Sequence, residues 1–171
     1  MNPMREIRIE KVTLNVGAGK EQSKLEKGVA LLKYITESNP VKTVTSKRIQ
    51  EWALRPGLPI GCKVTLRKEK AEKLLSQLLG AKENRLRVRQ FDENGNISFG
   101  IHEYIDIPGI KYNSKIGISG FEVSVTLERA GYRIKRRRFQ RRKVAINHKV
   151  TKDDAVEFMK KKYNVEIEGE E

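Results

Sequence analysis

The sequence predicts an α+β protein, an antiparallel sheet with its helices packed on one face. Runs in which apolar and polar residues alternate outnumber the segments with helical spacing. Two of those runs flank a turn with Asn94-Gly95 at its tip, a hairpin signal rather than a helical crossover.

From Ile7 to Val16 apolar residues fall on odd positions at Ile7 and Ile9, then on even ones at Val12, Leu14 and Val16. That is a strand with a phase slip, which marks a bulge. Gly17-Ala18-Gly19 breaks it. Leu25, Val29, Leu32 and Ile35 recur at helical spacing and predict the buried stripe of a helix, which should end near Asn39-Pro40 because the residue before proline avoids the helical region. A short strand over 41–45 leads into a polar, basic loop that holds Trp52 and closes at Arg55-Pro56-Gly57. Ile60, Cys62, Val64 and Leu66 then alternate with Lys63, Thr65 and Arg67, a strand with one apolar face and one largely cationic face.

Ala71, Leu74, Leu75, Leu78 and Leu79 predict a second helix with Gly80 as its C-terminal cap. Arg85, Arg87 and Arg89 interleave with Leu86 and Val88, and Ile97, Phe99 and Ile101 alternate beyond the Asp92 to Asn96 turn, so these two runs should form the hairpin. Phe121, Val123, Val125 and Leu127 make the cleanest strand. Thr151-x-x-Asp154 opens the last helix as a partial capping box, with Ala155, Phe158, Met159 and Tyr163 as its apolar stripe. The expected architecture is a two-layer sandwich of RRM or ferredoxin-like shape with a projecting loop. Residues 1–128 should form the α+β core and residues 129–171 a basic segment and C-terminal helix packed on it.

Composition narrows the function. The chain has 171 residues and is 37% apolar, and a chain of this length can bury roughly 70% of the surface its unfolded form exposes. The longest unbroken apolar stretch is Val29 to Leu32, so neither a membrane span nor a secretion leader is expected. Cys62 is the only cysteine, which excludes an intrachain disulfide and a Cys-rich zinc site and points to a reducing compartment. His102 and His148 are too far apart to share a helix or hairpin as a ligand pair, so no metal and no cofactor is expected.

The formal charge is +14 and unevenly spread. Residues 41–67 carry six cations against one acid, and residues 129–149 carry ten against none. Within the latter, Lys135 to Lys143 reads KRRRFQRRK, with no nearby acid to neutralise it. Such a run repels itself unless a polyanion is present. Arg133, Lys135, Arg136, Arg137, Arg138, Arg141, Arg142 and Lys143 surround Tyr132 and Phe139, so cations for phosphates lie among rings that can stack on bases. The reading is nucleic-acid binding, with RNA favoured because no recognition-helix pattern suits a DNA major groove while a polar, basic sheet face suits irregular RNA. A free-standing RNA chaperone or nucleic-acid-compacting protein, using the basic block alone, remains the alternative.

Enzymatic features are weak. Gly17-Ala18-Gly19-Lys20 superficially resembles a phosphate-binding turn, but Gln22 stands where a dinucleotide fingerprint wants a small residue and Glu21 follows Lys20 where a P-loop wants Ser or Thr. Glycines that merely turn the chain explain it. Asp153 and Asp154 suit a helix start rather than paired acid and base chemistry. Trp52 is open between two readings, partly core or the tip of a loop that packs against RNA.

The stretch Pro59-Ile60-Gly61-Cys62-Lys63-Val64-Thr65-Leu66-Arg67 resembles the family of ribosomal large-subunit protein five. Arg8-Ile9-Glu10-Lys11-Val12 with Asn15, Phe91-Asp92 with Gly95-Asn96-x-Ser98-x-Gly100, and Gly117-x-x-Gly120 support the likeness, which runs from about Arg5 to Ile167. Ala130-Gly131-Tyr132-Arg133, His148 and Asp154-Ala155 resemble the archaeal and eukaryotic branch. The resemblance implies a non-catalytic, ribosome-bound cytoplasmic protein of the central protuberance that joins 5S rRNA to 23S rRNA. It also implies contact with P-site tRNA, with small-subunit head protein thirteen and with other central-protuberance proteins. Carried over by position, Asn15, Thr43, Lys63 and Thr65 would meet 5S rRNA, and Lys47, Arg48, Trp52 and Arg55 would form the tRNA-contacting loop. The sequence departs from the family pattern at Ser38, Asn113, Glu122 and Ala130.

Overall fold

In chain order the elements are β1 (Ile7–Gly17), α1 (Gln22–Thr36), β2 (Val41–Val44), β3 (Pro59–Leu66), α2 (Lys68–Gly80), β4 (Arg85–Arg87), β5 (Ile97–Ile101), β6 (Phe121–Arg129), α3 (Arg133–Arg136), α4 (Lys152–Tyr163) and β7 (Glu166–Glu168). They come from a computed structural model that describes residues 2–169. Five strands make an antiparallel sheet in the order β2-β3-β1-β6-β5, and β4 with β7 makes a separate two-stranded ribbon. The α+β class is as the sequence predicts. Contacts divide the chain into two compact units. One holds Thr13–Leu66 and Phe99–Ser124, and the other holds the chain up to Val12, Arg67–Ser98 and the described chain from Val125 onward.

In the first of these units α1 packs on β3. Its buried positions are Leu25, Gly28, Leu31, Leu32 and Thr36, whereas Val29 and Ile35 of the predicted stripe are only half-buried. Gly28 explains the rotation. A Cβ there would lie 2.9 Å from Val16 Cγ1 and 3.2 Å from Cys62 Sγ, so the helix comes nearest the strands at a residue that a hydropathy pattern ignores. The helix also stops earlier than predicted, at Thr36. Glu37 takes the left-handed conformation (φ 50°) and returns its N–H to the Lys33 carbonyl at 3.0 Å, closing the last turn before Pro40 can matter.

Along β1 the buried residues are Ile9, then Val12, Leu14 and Val16, so the phase changes between Ile9 and Val12 as the sequence predicts. In β3 Cys62, Val64 and Leu66 are buried and alternate with exposed Lys63 and Thr65. Burial pushes the Cys62 thiol pKa up, away from the reactive thiolate. β2 runs antiparallel to β3 with Val41 opposite Lys63 and Thr43 opposite Gly61.

In the other unit α2 buries all five predicted residues. Gly80 is not its cap. It is the last helical residue, and Glu83 and Asn84 (φ 54° and 56°) supply the left-handed turn, with the Asn84 N–H on the Leu79 carbonyl at 2.9 Å. The predicted hairpin is also corrected. β4 pairs in parallel with β7 from the far end of the chain, placing Arg85 opposite Glu166 and Arg87 opposite Glu168 while Leu86 is buried. Opposite charges at both outer positions of the ribbon favour this partner. What remains of the hairpin is one bridge, Phe91 to Ile97, around a turn in which the Asp92 carboxylate accepts the N–H groups of Asn94 (2.9 Å) and Asn96 (2.7 Å).

α4 opens on the predicted capping box, and Asp154 also pairs with Arg129 at 2.8 Å. Ala155 and Met159 are buried, but Phe158 and Tyr163 are half-buried because they line an outer patch where Lys162 sits over both rings and pairs with Glu72 at 2.7 Å. Burial first, and the Glu72 charge second, push the Tyr163 hydroxyl up to about 12.

Candidate nucleic-acid interface

The alternation that buries Cys62, Val64 and Leu66 turns Lys63 and Thr65 to the opposite face of the strand. Thr43 shares that face, since residues directly opposite in an antiparallel pair point the same way and Thr43 faces Gly61. The Thr65 hydroxyl lies 3.5 Å from that of Thr13, and Asn15, two residues along β1 from Thr13, is on the same side. The four sheet residues named from the sequence thus come together on one polar face. Two further members join them, Thr13, which the sequence does not single out, and Glu122, which it marks only as a departure from the family pattern; both alternate with core residues in their strands. Asn15 donates to Glu122 Oε2 at 3.1 Å, so this end of the face holds a carboxylate and is a hydrogen-bonding surface rather than a cationic one.

The loop between β2 and β3 is an ordered structure. Thr45 ties its base: its N–H donates to the Leu58 carbonyl at 3.0 Å, its carbonyl accepts from Gly57 at 2.9 Å, and its hydroxyl donates to the Lys47 carbonyl at 3.0 Å. Ile49 and Leu54 exchange two backbone hydrogen bonds and pinch off a tip of four residues, with Ala53 in the left-handed conformation. Leu54 is buried beneath the tip, while Trp52 on it is 64% exposed. Trp52 therefore lies outside the core, and Lys47, Arg48 and Arg55 stand around it on exposed positions.

The basic segment is folded at its base by the residues of the Ala-Gly-Tyr motif. Tyr132 accepts the Val150 N–H at 2.7 Å, and the Ala130 carbonyl accepts from His148 Nε2 at 2.8 Å, which requires the Nε2–H tautomer unless both ring nitrogens are protonated. Contrary to the local sequence, the block does meet acids. Arg136 forks between Glu10 and Glu128, which also receive Arg67 (3.2 Å) and Arg8 (2.8 Å). Both acids lie outside the block in the chain, so its own composition could not show them. Arg133, Lys135, Arg137, Arg138, Arg141, Arg142 and Lys143 are exposed.

The glycine turn has no donors to spare for a phosphate at Ala18 or Gly19, whose N–H groups donate to the Ile60 carbonyl at 2.9 and 3.0 Å. The reading of glycines that turn the chain stands. Among the described residues no helix is long and apolar enough to cross a membrane.

A polar strand face, an ordered basic loop and a folded cationic segment define a class, the basic α+β protein shaped to hold a polyanion. Comparison with known proteins places it more narrowly. Residues 2–55 match the family model of ribosomal protein L5, and residues 59–158 match the model of that ribosomal family's C-terminus. The large ribosomal subunit protein uL5 of Nanoarchaeum equitans is 48% identical over 167 residues, covering 97% of this chain and 98% of that one. Its counterparts in Methanosphaera stadtmanae and Sulfurisphaera tokodaii are each 45% identical over 168 residues, covering 98% of this chain and 100% and 95% of theirs. The chain belongs to the ribosomal protein L5 family, whose members are structural ribosomal proteins and not enzymes.

Proposed function

We propose that the chain is a ribosome-bound cytoplasmic protein that joins 5S rRNA to 23S rRNA in the central protuberance of the large subunit. Asn15, Thr43, Lys63 and Thr65 meet 5S rRNA, the cations of residues 133–143 meet rRNA, and the loop carrying Lys47, Arg48, Trp52 and Arg55 reaches the P-site tRNA. Contact with small-subunit head protein thirteen and neighbouring central-protuberance proteins follows from the same placement. The single observation that supports this reading best is the gathering of Asn15, Thr43, Lys63 and Thr65 on one polar face, since these are the positions the family likeness assigns to 5S rRNA.

Titration of the purified chain with a 5S rRNA transcript tests it. The logarithm of the association constant should fall with log salt at about 0.7 to 0.9 per phosphate contacted, and an excess of random duplex DNA should compete poorly. A salt-independent association, or equal competition by the duplex, would remove the proposal.

The loop is separable from 5S binding. Arg48→Ala combined with Trp52→Ala should leave 5S affinity unchanged and weaken tRNA retention in the P site of reconstituted ribosomes. Trp52 is 64% exposed, so the fold should tolerate the change. A matching loss of 5S affinity would instead place the loop on the 5S interface.

A further inference from the structure

We propose that a cleft in the basic segment takes a single unpaired nucleotide of RNA, its base stacked on Phe139 and its phosphate held by Arg133, Arg137 and Arg138. This rests on the RNA-binding reading above and adds to it a site and a ligand class.

The cleft has a volume of ≈ 670 Å³ and lies between Gly131, Arg133 and Ile134 on one side and Arg137 to Gln140 on the other. That is within the range of about 300–1,000 Å³ usual for small-molecule sites. Backbone and side chain hold it open. The Arg142 N–H donates to the Ile134 carbonyl at 3.2 Å and Arg141 Nε to the Lys135 carbonyl at 2.7 Å, closing the loop at its two ends. Gln140 takes the left-handed conformation (φ 49°), and its carbonyl accepts from Arg137 Nε at 2.9 Å. The loop that carries Phe139 is thereby fixed, and Phe139 is 77% exposed. The Arg138 guanidinium carbon stands 5.6 Å from the ring centroid.

Leaving a phenylalanine in water forfeits the favourable free energy its burial would bring, although the neighbouring Ile134 is partly covered. Cations alone would suffice for the backbone of a duplex, which keeps its base faces stacked and closed to a side chain. A fixed aromatic ring beside guanidinium groups adds a surface that only an unstacked base can use. Among the described residues no acid forms an ion pair with Arg133, Arg137 or Arg138, in contrast to Arg136, so their charge is available to a phosphate.

The experiment compares two probes on the full chain, a 12-nucleotide single-stranded RNA and a blunt RNA duplex with the same number of phosphates. Phe139→Ala should weaken the single strand roughly 5- to 100-fold and leave the duplex unchanged. Phe139→Trp should restore single-strand binding, and the thermal midpoint should be the same in all three proteins. Equal effects on both probes, or none on either, with the wild-type chain still binding both, would overturn the site while leaving the RNA-binding reading intact. A wild-type chain that binds neither probe nor 5S rRNA would overturn both.

Discussion

Replacing Glu128 by glutamine should lower the stability of the protein by about 2 kcal/mol and speed tryptic cleavage between Arg133 and Lys143 several-fold. Glu128 is 6% exposed, and its carboxylate takes Arg8 through Nε (3.0 Å) and Nη2 (2.8 Å) on one oxygen and Arg136 on the other. Glutamine keeps the shape but withdraws the charge and turns an amide N–H₂ toward a guanidinium group, leaving a donor against a donor. Removing one member of a fully buried pair costs about 3–5 kcal/mol. The Arg8 and Arg136 side chains are 63% and 44% exposed, so water compensates part of the loss and the smaller figure applies. A urea titration with unchanged slope and a shifted midpoint would register the stability term. Identical trypsin time courses for the two proteins would show that Tyr132 and His148, not the carboxylates, hold the segment in place.

Gly61→Ala should cost about 3 kcal/mol, and for a chain of this size that lowers the thermal midpoint by roughly 6–12 °C. A Cβ at this position would lie 2.7 Å from the Val16 carbonyl oxygen and 3.0 Å from Thr43 Oγ1. The first contact is backbone and cannot rotate away, so β3 must shift against β1. The second displaces Thr43, so, on the proposed placement of Thr43 against 5S rRNA, affinity for it should fall with stability. Gly100→Ala is the control, because nothing lies within 4 Å of its added Cβ, and its midpoint should stay within the range of ordinary surface changes, about 0.5 kcal/mol. Equal midpoints for the two variants would show that the strands give way more readily than the geometry implies.

Gly61 also shows how a motif becomes readable. In PIGCKVTLR the alternation of Cys62, Val64 and Leu66 with Lys63 and Thr65 is a statement about two faces, and it holds in the structure because strand side chains alternate whatever the partner strands are. The capping box at Thr151 and Asp154 and the five buried residues of α2 were legible for the same reason, since each depends only on local chain geometry. The buried stripe of α1 was misread because it turns on Gly28, whose role is the space it leaves for Val16 and Cys62. Trp52 stayed ambiguous in sequence, since one aromatic residue among cations fits a core or a loop tip equally well. The backbone ring between Ile49 and Leu54 decides for the tip.

The sequence by itself determined the α+β class, the cationic character of the chain, the polar face of β3 and the family likeness, all carried by periodicity, charge and short motifs within a few residues of one another. Tertiary structure alone decided that β4 takes β7 rather than β5 as its partner, and that Arg136 is spent on Glu10 and Glu128. Only the folded chain leaves Phe139 exposed beside arginines that form no ion pair among the described residues. The reason is physical. Strand pairing such as β4 with β7, and ion pairing such as Glu10 with Arg136, are set by which surfaces meet once the core has formed, and no local window of sequence contains both partners.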